Sequence, residues 1–231
     1  LSELGAPGSC SPSTTNLNNS FPKYSIEDMV NFQNKFLKDK FGITHVRGII
    51  GNSMGGFVAL TCAVLYPDYA DFIISGVSGY KVAGRNYILS KLVDEIISTD
   101  GDYDSGKNTS SLVRTLRLAT QAVYSFGISK EALHKIPNSQ LDVEFDEFGD
   151  EGLLDSIFDV KYCNDATLDY DIEKDLNKIR SKVLIIGINQ DQYFPPNLDA
   201  IPMHNLIEDS ELIIYDSDLG HIGFRELGTI E

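Results

Sequence analysis

Little sulfur, little positive charge and no long apolar run are the first features of this 231-residue chain. Its three cysteines, Cys10, Cys62 and Cys163, are too few and too scattered for a disulfide framework or a C-x-x-C metal knuckle, so a reducing, cytoplasmic setting is expected. No stretch approaches the roughly 18 apolar residues of a membrane span, and no basic-then-apolar leader precedes the first turn signals. A membrane partner is therefore not expected. Lysine and arginine total 19 against 34 aspartates and glutamates, a formal charge of −15. Phosphate backbones are held by clustered cations, so nucleic acid is excluded as a partner, and an anionic leaflet is disfavoured. A small-molecule substrate is the partner that remains, with a homodimer left open. The 42% apolar content is that of a globular chain, and residues 1–231 can form one domain with a sizeable core.

Residues 1–22 are rich in Gly, Ser, Pro and Asn, without a sustained period, and read as a long loop. Ser25-Ile26-Glu27-Asp28 is a capping-box pattern that opens a helix, which Gly42 stops. His45–Ile50 is a short apolar strand, Phe57–Tyr66 a helix ended by Pro67, and Asp71–Gly79 a second buried strand. From about Ala83 to Lys178 strand signals vanish and amphipathic helices alternate with polar loops. Lys182–Ile188 restores the strand signal, Leu198–Ile207 can form a helix, and Glu211–Tyr215 is the last strand. Strands apolar on both faces that alternate with helices imply a mostly parallel α/β sheet. The block 83–178 then reads as a helical lid inserted into that domain. Thirteen acidic residues lie between Asp142 and Asp175 against Lys161 and Lys174, and such a run is expected to face water.

Gly51-Asn52-Ser53-Met54-Gly55 fits G-x-S-x-G, the nucleophile elbow. The chemistry places Ser53 on a strained turn between strand and helix, where side chains at positions 51 or 55 are expected to collide with backbone. Spacing alone is weak, but here an apolar strand precedes the serine and a helical stretch follows it. A serine hydroxyl needs a histidine base, itself oriented by a carboxylate. Of four histidines, His45 precedes the elbow strand, while His134 and His204 lie within helical stretches. His221 stands in a Gly-flanked loop just past the final strand, where a base at the carboxyl edge of the sheet belongs. Asp191 follows Lys182–Ile188 in a loop closed by Pro195 and Pro196, and is preferred to Asp199, Asp216 and Asp218, which read as solvated loop acids. In the resulting scheme Ser53 is the nucleophile, His221 the base and Asp191 its orienting acid, and the Met54 N–H forms half of an oxyanion hole.

No metal site is expected. Asp100, Asp102 and Asp104 alternate as in a calcium loop, but Ser105 and Ser111 occupy the positions that need Gly and Glu. No H-E-x-x-H and no phosphate loop occur.

Phe21-Pro22 followed by Ser25-Ile26, Asp28-Met29-Val30, then Ser53-Met54-Gly55-Gly56, Tyr66-Pro67-Asp68, Asp191–Pro196 and Leu219-Gly220-His221 together resemble the homoserine O-acetyltransferase branch of the α/β-hydrolases. The resemblance implies an α/β-hydrolase fold with a helical lid, and acyl transfer through an acyl-serine carried by Ser53, Asp191 and His221. It implies acetyl-CoA as a candidate co-substrate, with no bound cofactor; related folds hydrolyse small esters, and a catalytically silent binding scaffold is the alternative. Two features depart from the pattern. Ile222 stands where homoserine-acting members carry an aspartate for the substrate's amino group, and neither Arg114 nor Arg117 is fixed by a motif as the carboxylate-binding arginine. The opening Leu4–Ser13 resembles the loop after the fourth strand of the family, so the first strands and the second oxyanion donor are expected upstream of Leu1, and the chain is expected to fold poorly alone because its first strand leaves a sheet edge uncovered.

Overall fold

The structure is a computed structural model that describes residues 9–227. Leu1–Gly8, and with them part of the opening stretch and the expectation attached to it, lie outside the described residues, as do Gly228–Glu231. In chain order the helices are α1 Ile26–Phe41, α2 Met54–Leu65, α3 Gly84–Ser98, α4 Ser110–Gly127, α5 Lys130–Lys135, α6 Asn138–Glu151, α7 Ile157–Leu168 and α8 Ala200–Leu206. The strands are β1 Val46–Asn52, β2 Ala70–Gly76, β3 Lys182–Ile188 and β4 Ser210–Tyr215. Two compact units result.

One unit holds Ser25–Val82, Gly127–Ala132 and the chain from Tyr170 onward. Its sheet has the order β1-β2-β3-β4, parallel throughout, with Ile50 opposite Ile74, Ile74 opposite Leu184 and Ile186 opposite Ile213. β3 is a nearly continuous apolar run because both of its faces are covered, with Val183 and Ile185 buried on one and Ile186 and Ile188 on the other. Among the described residues β1 pairs on one side only, with β2, and Ile50 is 78% exposed. The expected capping box opens α1: Ser25 Oγ accepts the Asp28 N–H at 3.2 Å and the Ser25 N–H donates to Asp28 Oδ2 at 2.9 Å. Gly42, at φ 68°, ends it in the left-handed conformation that glycine takes without strain. α1 meets α2 through Val30 and Cys62, with Tyr69 completing the cluster. α2 is apolar almost all round and correspondingly buried, which fixes the helix that starts after Ser53.

Between β2 and β3 the named elements of the described residues are all helical, and most of that stretch falls in the second compact unit. That unit comprises the described residues up to Tyr24, Ala83–Phe126 and Leu133–Asp169. Residues after Tyr170 belong to the sheet unit because the Val82 N–H donates to Tyr170 O at 2.9 Å and the Ile172 N–H to Tyr80 O at 3.0 Å, a backbone pairing with no local sequence signature. Tyr170 also stacks on Phe57, ring centroids 4.3 Å apart.

Within the helical unit, Val93 and Ile97 of α3, Leu112 and Leu116 of α4 and Phe158 of α7 form the core. The opening loop is fastened to α7: Ser13 donates its N–H at 2.9 Å and its hydroxyl to Asp159, and the Tyr162 hydroxyl donates to the carbonyls of Asn19 and Phe21. Asp159 is thus an exception to the solvated acidic stretch. It is fully buried, whereas Asp142, Asp146, Glu147, Asp150 and Glu151 are exposed as expected. Lys161 ties α7 to α3 through Asp94 at 2.7 Å, and also meets Asp165 at 2.7 Å. Arg117 pairs with Asp150 and Asp146 of α6. Asp100 serves the turn before α4, accepting from the Asp102 N–H and from the hydroxyls of Ser111 and Thr115.

Candidate active site

β1 delivers the chain to Ser53, whose φ of 52° and ψ of −125° lie where non-glycine residues are strained, and α2 begins at the next residue. The turn is braced by the Ser53 N–H donating to Gly76 O at 2.9 Å. Gly51 is obligatory: a Cβ there would sit 2.0 Å from Gly55 O. The expectation for Gly55 needs correction, since a Cβ there meets nothing within 4 Å. The second close approach falls instead at Gly56, where a Cβ would lie 2.4 Å from Ser78 Oγ. Gly55 sits inside the first turn of α2, so its side-chain direction points away from the strand, whereas Gly56 faces the residues that follow β2.

Asp191 lies just beyond β3. Its side chain is wholly buried, and its Oδ1 accepts the N–H groups of Tyr193 at 2.8 Å and Phe194 at 3.1 Å. These N–H groups, rather than the prolines, hold the carboxylate; Pro195 and Pro196 supply carbonyls that start α8. The remaining oxygen, Oδ2, stands 2.8 Å from His221 Nδ1. With Nδ1–H donating to the carboxylate, the Nε2 lone pair faces Ser53 Oγ at 2.9 Å. His221 follows Gly220, whose φ of 61° and contact with Ser129 N leave no room for a Cβ. The loops that carry Asp191 and His221 are cross-tied: Gln190 accepts the Ser217 N–H at 2.9 Å and donates to Asp216 at 2.9 Å, and Asn189 donates to Asp216 at 3.0 Å.

The other histidines are placed elsewhere. His45 contacts Asp68 O and Asp71, His204 contacts Ser210, and His134 is exposed on α5. Asp216 is the solvated acid expected, its carboxyl lowered by the amides of Asn189 and Gln190. Asp199 is not. Burial, joined by the charge of Asp191 and opposed by Lys81, lifts its carboxyl to about 7. Its Oδ1 lies against Gly79, 120 residues earlier in the chain, where a Cβ would come within 2.7 Å of it. A cleft of about 610 Å³ lined by Pro67, Ile179, Arg180 and Asp209 opens at the amino ends of the strands, whereas Ser53, Asp191 and His221 all follow carboxyl ends.

A serine on a strained turn, linked through a histidine to a buried aspartate beyond parallel strands, has the arrangement that serine-nucleophile sites use. Residues 5–226 match the family described as alpha/beta hydrolase fold. The chain belongs to that family. It is 45% identical over 228 residues to a probable acyltransferase of Methanothermobacter thermautotrophicus, covering 99% of this chain and 70% of that one. It is 27% identical over 253 residues to a homoserine O-acetyltransferase of Haemophilus influenzae, covering 95% and 70%. Among solved structures, an acetylester hydrolase of Corynebacterium glutamicum superposes with a TM-score of 0.77 at 22% identity. That match covers 88% of this chain and 62% of the other, less than two thirds of its length.

Proposed function

We propose that the protein is a serine-dependent acyl-transfer enzyme, with Ser53 as nucleophile, His221 as general base and then acid, and Asp191 as the group that orients it. The observation that carries this reading is the relay from Asp191 Oδ2 through His221 to Ser53 Oγ, at 2.8 and 2.9 Å. Nε2 takes the serine proton as Oγ bonds to the acyl carbon, and the carbonyl pair moves onto oxygen. The Met54 N–H, at the start of α2 where no intrahelical acceptor exists, donates to that oxyanion. Collapse re-forms the carbonyl and expels the leaving group, which takes the proton from His221. An alcohol or water then attacks the acyl-serine, passes its proton to His221, and releases Ser53 with that proton returned to Oγ.

Acyl transfer is supported by the relatives named acyltransferase and homoserine O-acetyltransferase, and ester hydrolysis, by the same intermediate, has the acetylester hydrolase as its structural neighbour. Acetyl-CoA is the candidate acyl donor, as a co-substrate and not a bound cofactor. Ile222 favours an acceptor without an ammonium group, because an apolar side chain leaves that charge unpaired. The engagement of Arg117 with Asp150 and Asp146 points the same way for a carboxylate. A fluorophosphonate probe tests the reading: labelling of the folded protein that disappears in Ser53→Ala supports it, and a wild-type protein that never labels is a silent scaffold. Acetyl-CoA offered with homoserine, with uncharged alcohols or with water alone then separates transferase from hydrolase.

A further inference from the structure

The imidazole of His221 is held by more than its two hydrogen bonds. The Tyr193 ring meets it edge to face, centroids 4.7 Å apart at 80°, and the Phe194 ring lies 5.7 Å away at 43°. These are the same two residues whose N–H groups fix Asp191 Oδ1. We propose that Tyr193 is a positioning residue for His221, and that the turn Asp191-Gln192-Tyr193-Phe194 sets acid and base as one device: its backbone aims the carboxylate and its rings confine the imidazole.

A single hydrogen bond at Nδ1 leaves the ring free to swing about that contact, and a swing of even 1 Å at Nε2 breaks the alignment needed to take the serine proton. Rings packed against the imidazole limit that motion. Because they sit on the residues that hold the carboxylate, any shift of the turn carries acid and base together. Gln192 anchors the turn from outside, its amide donating to Ile128 O at 2.8 Å. The two rings are not equivalent. Phe194 is buried and also packs on Phe57 at 5.6 Å, so shortening it would damage the core. Tyr193 is only partly buried, so its ring can be removed with the core left intact.

The inference rests on the acyl-serine reading, and its test is chosen to fail separately. Tyr193→Phe keeps the ring, whereas Tyr193→Ala removes it while keeping the N–H that binds Asp191. Rates of fluorophosphonate labelling are expected within about threefold of wild type for Tyr193→Phe and about 10- to 100-fold slower for Tyr193→Ala, at an unchanged thermal midpoint. The low-field proton resonance of the Nδ1–H bonded to Asp191 supplies a readout that does not need Ser53 to react. It is expected sharp in wild type and Tyr193→Phe, and broadened in Tyr193→Ala. Tyr193→Ala that labels at the wild-type rate with a sharp resonance overturns the positioning role. Wild-type protein that never labels overturns the acyl-serine reading alone, and the resonance then decides whether Tyr193 orders the ring.

Discussion

Ser53 Oγ and His221 Nε2 stand 2.9 Å apart across 168 residues of chain, and both reach that point from the carboxyl ends of strands in one parallel sheet. Groups that act as one unit fail together. Ser53→Ala and His221→Ala are each expected to lower turnover by about 10⁴- to 10⁶-fold, and the double variant no further than the worse single one. Asp191→Asn, which keeps the shape but disturbs the tautomer, is expected to cost about 10⁴-fold. Steady-state turnover of an activated ester measures all four. A double variant slower by the product of the singles would show that the two residues act independently.

Gly51 and Gly55 look alike in the motif and differ in space. A Cβ on Gly51 would penetrate Gly55 O at 2.0 Å, while one on Gly55 meets nothing within 4 Å. Gly51→Ala is expected to lose the elbow, and with it probe labelling, at a cost in stability of roughly 1–3 kcal/mol. Gly55→Ala is expected to keep the stability or raise it by up to about 1 kcal/mol, since alanine is the better helix residue. Denaturation of the two variants side by side settles the contrast; an equal loss in both would return the collision to Gly55.

Lys161 is the cation between α3 and α7, with its side chain 12% exposed and Asp94 at 17%. Burial alone would lower the lysine and raise Asp94; the hydrogen bonds among Lys161, Asp165, Asp94 and Lys91 outweigh it and hold the lysine above and Asp94 below their ordinary values. Lys161→Met leaves Asp94 with Lys91 as its cation and the Ser98 hydroxyl as a further donor, and is expected to cost about 1–3 kcal/mol at neutral pH. A depressed carboxyl contributes stability that is present above its unfolded pKa and is lost as pH falls through its folded pKa. The gap between wild type and variant should therefore close in acid, below the usual carboxylate range. A gap that persists unchanged at pH 2 would assign the effect to packing of the lysine stem.

What the sequence made legible was local. The apolar run of β3 and the capping box at Ser25 announce themselves because neighbouring residues decide them, and Gly51 and Ser53 because the elbow demands a particular backbone conformation. Asp191 and His221 were reachable because the order of strands says where a loop must emerge. The remainder depended on distant partners. Ser13 meets Asp159 across 146 residues, so a buried acid hides within a run that otherwise faces water. The pairing of Val82 with Tyr170 places the chain from Tyr170 onward with the sheet unit, and no local residue pattern announces it.

Asp199 follows the same logic into a pH effect. Its carboxyl, lifted to about 7 by burial first and the Asp191 charge second, binds a proton in the folded protein that it has lost in the unfolded chain at neutral pH. Between the ordinary aspartate value of about 3.9 and about 7 the folded state holds more protons, so stability falls as pH rises through that window and levels off above it. Asp199→Asn carries no charge to bury. The linkage limit is about 4 kcal/mol, and water at the exposed part of the side chain reduces it to roughly 1–2 kcal/mol. The variant is expected to match wild type near pH 4 and to exceed it by that amount at pH 8, with thermal midpoints at the two pH values as the measurement. A variant that gains nothing at pH 8 would mean that Lys81 compensates the charge fully, and Asp199 would then be ionised beside Asp191 throughout.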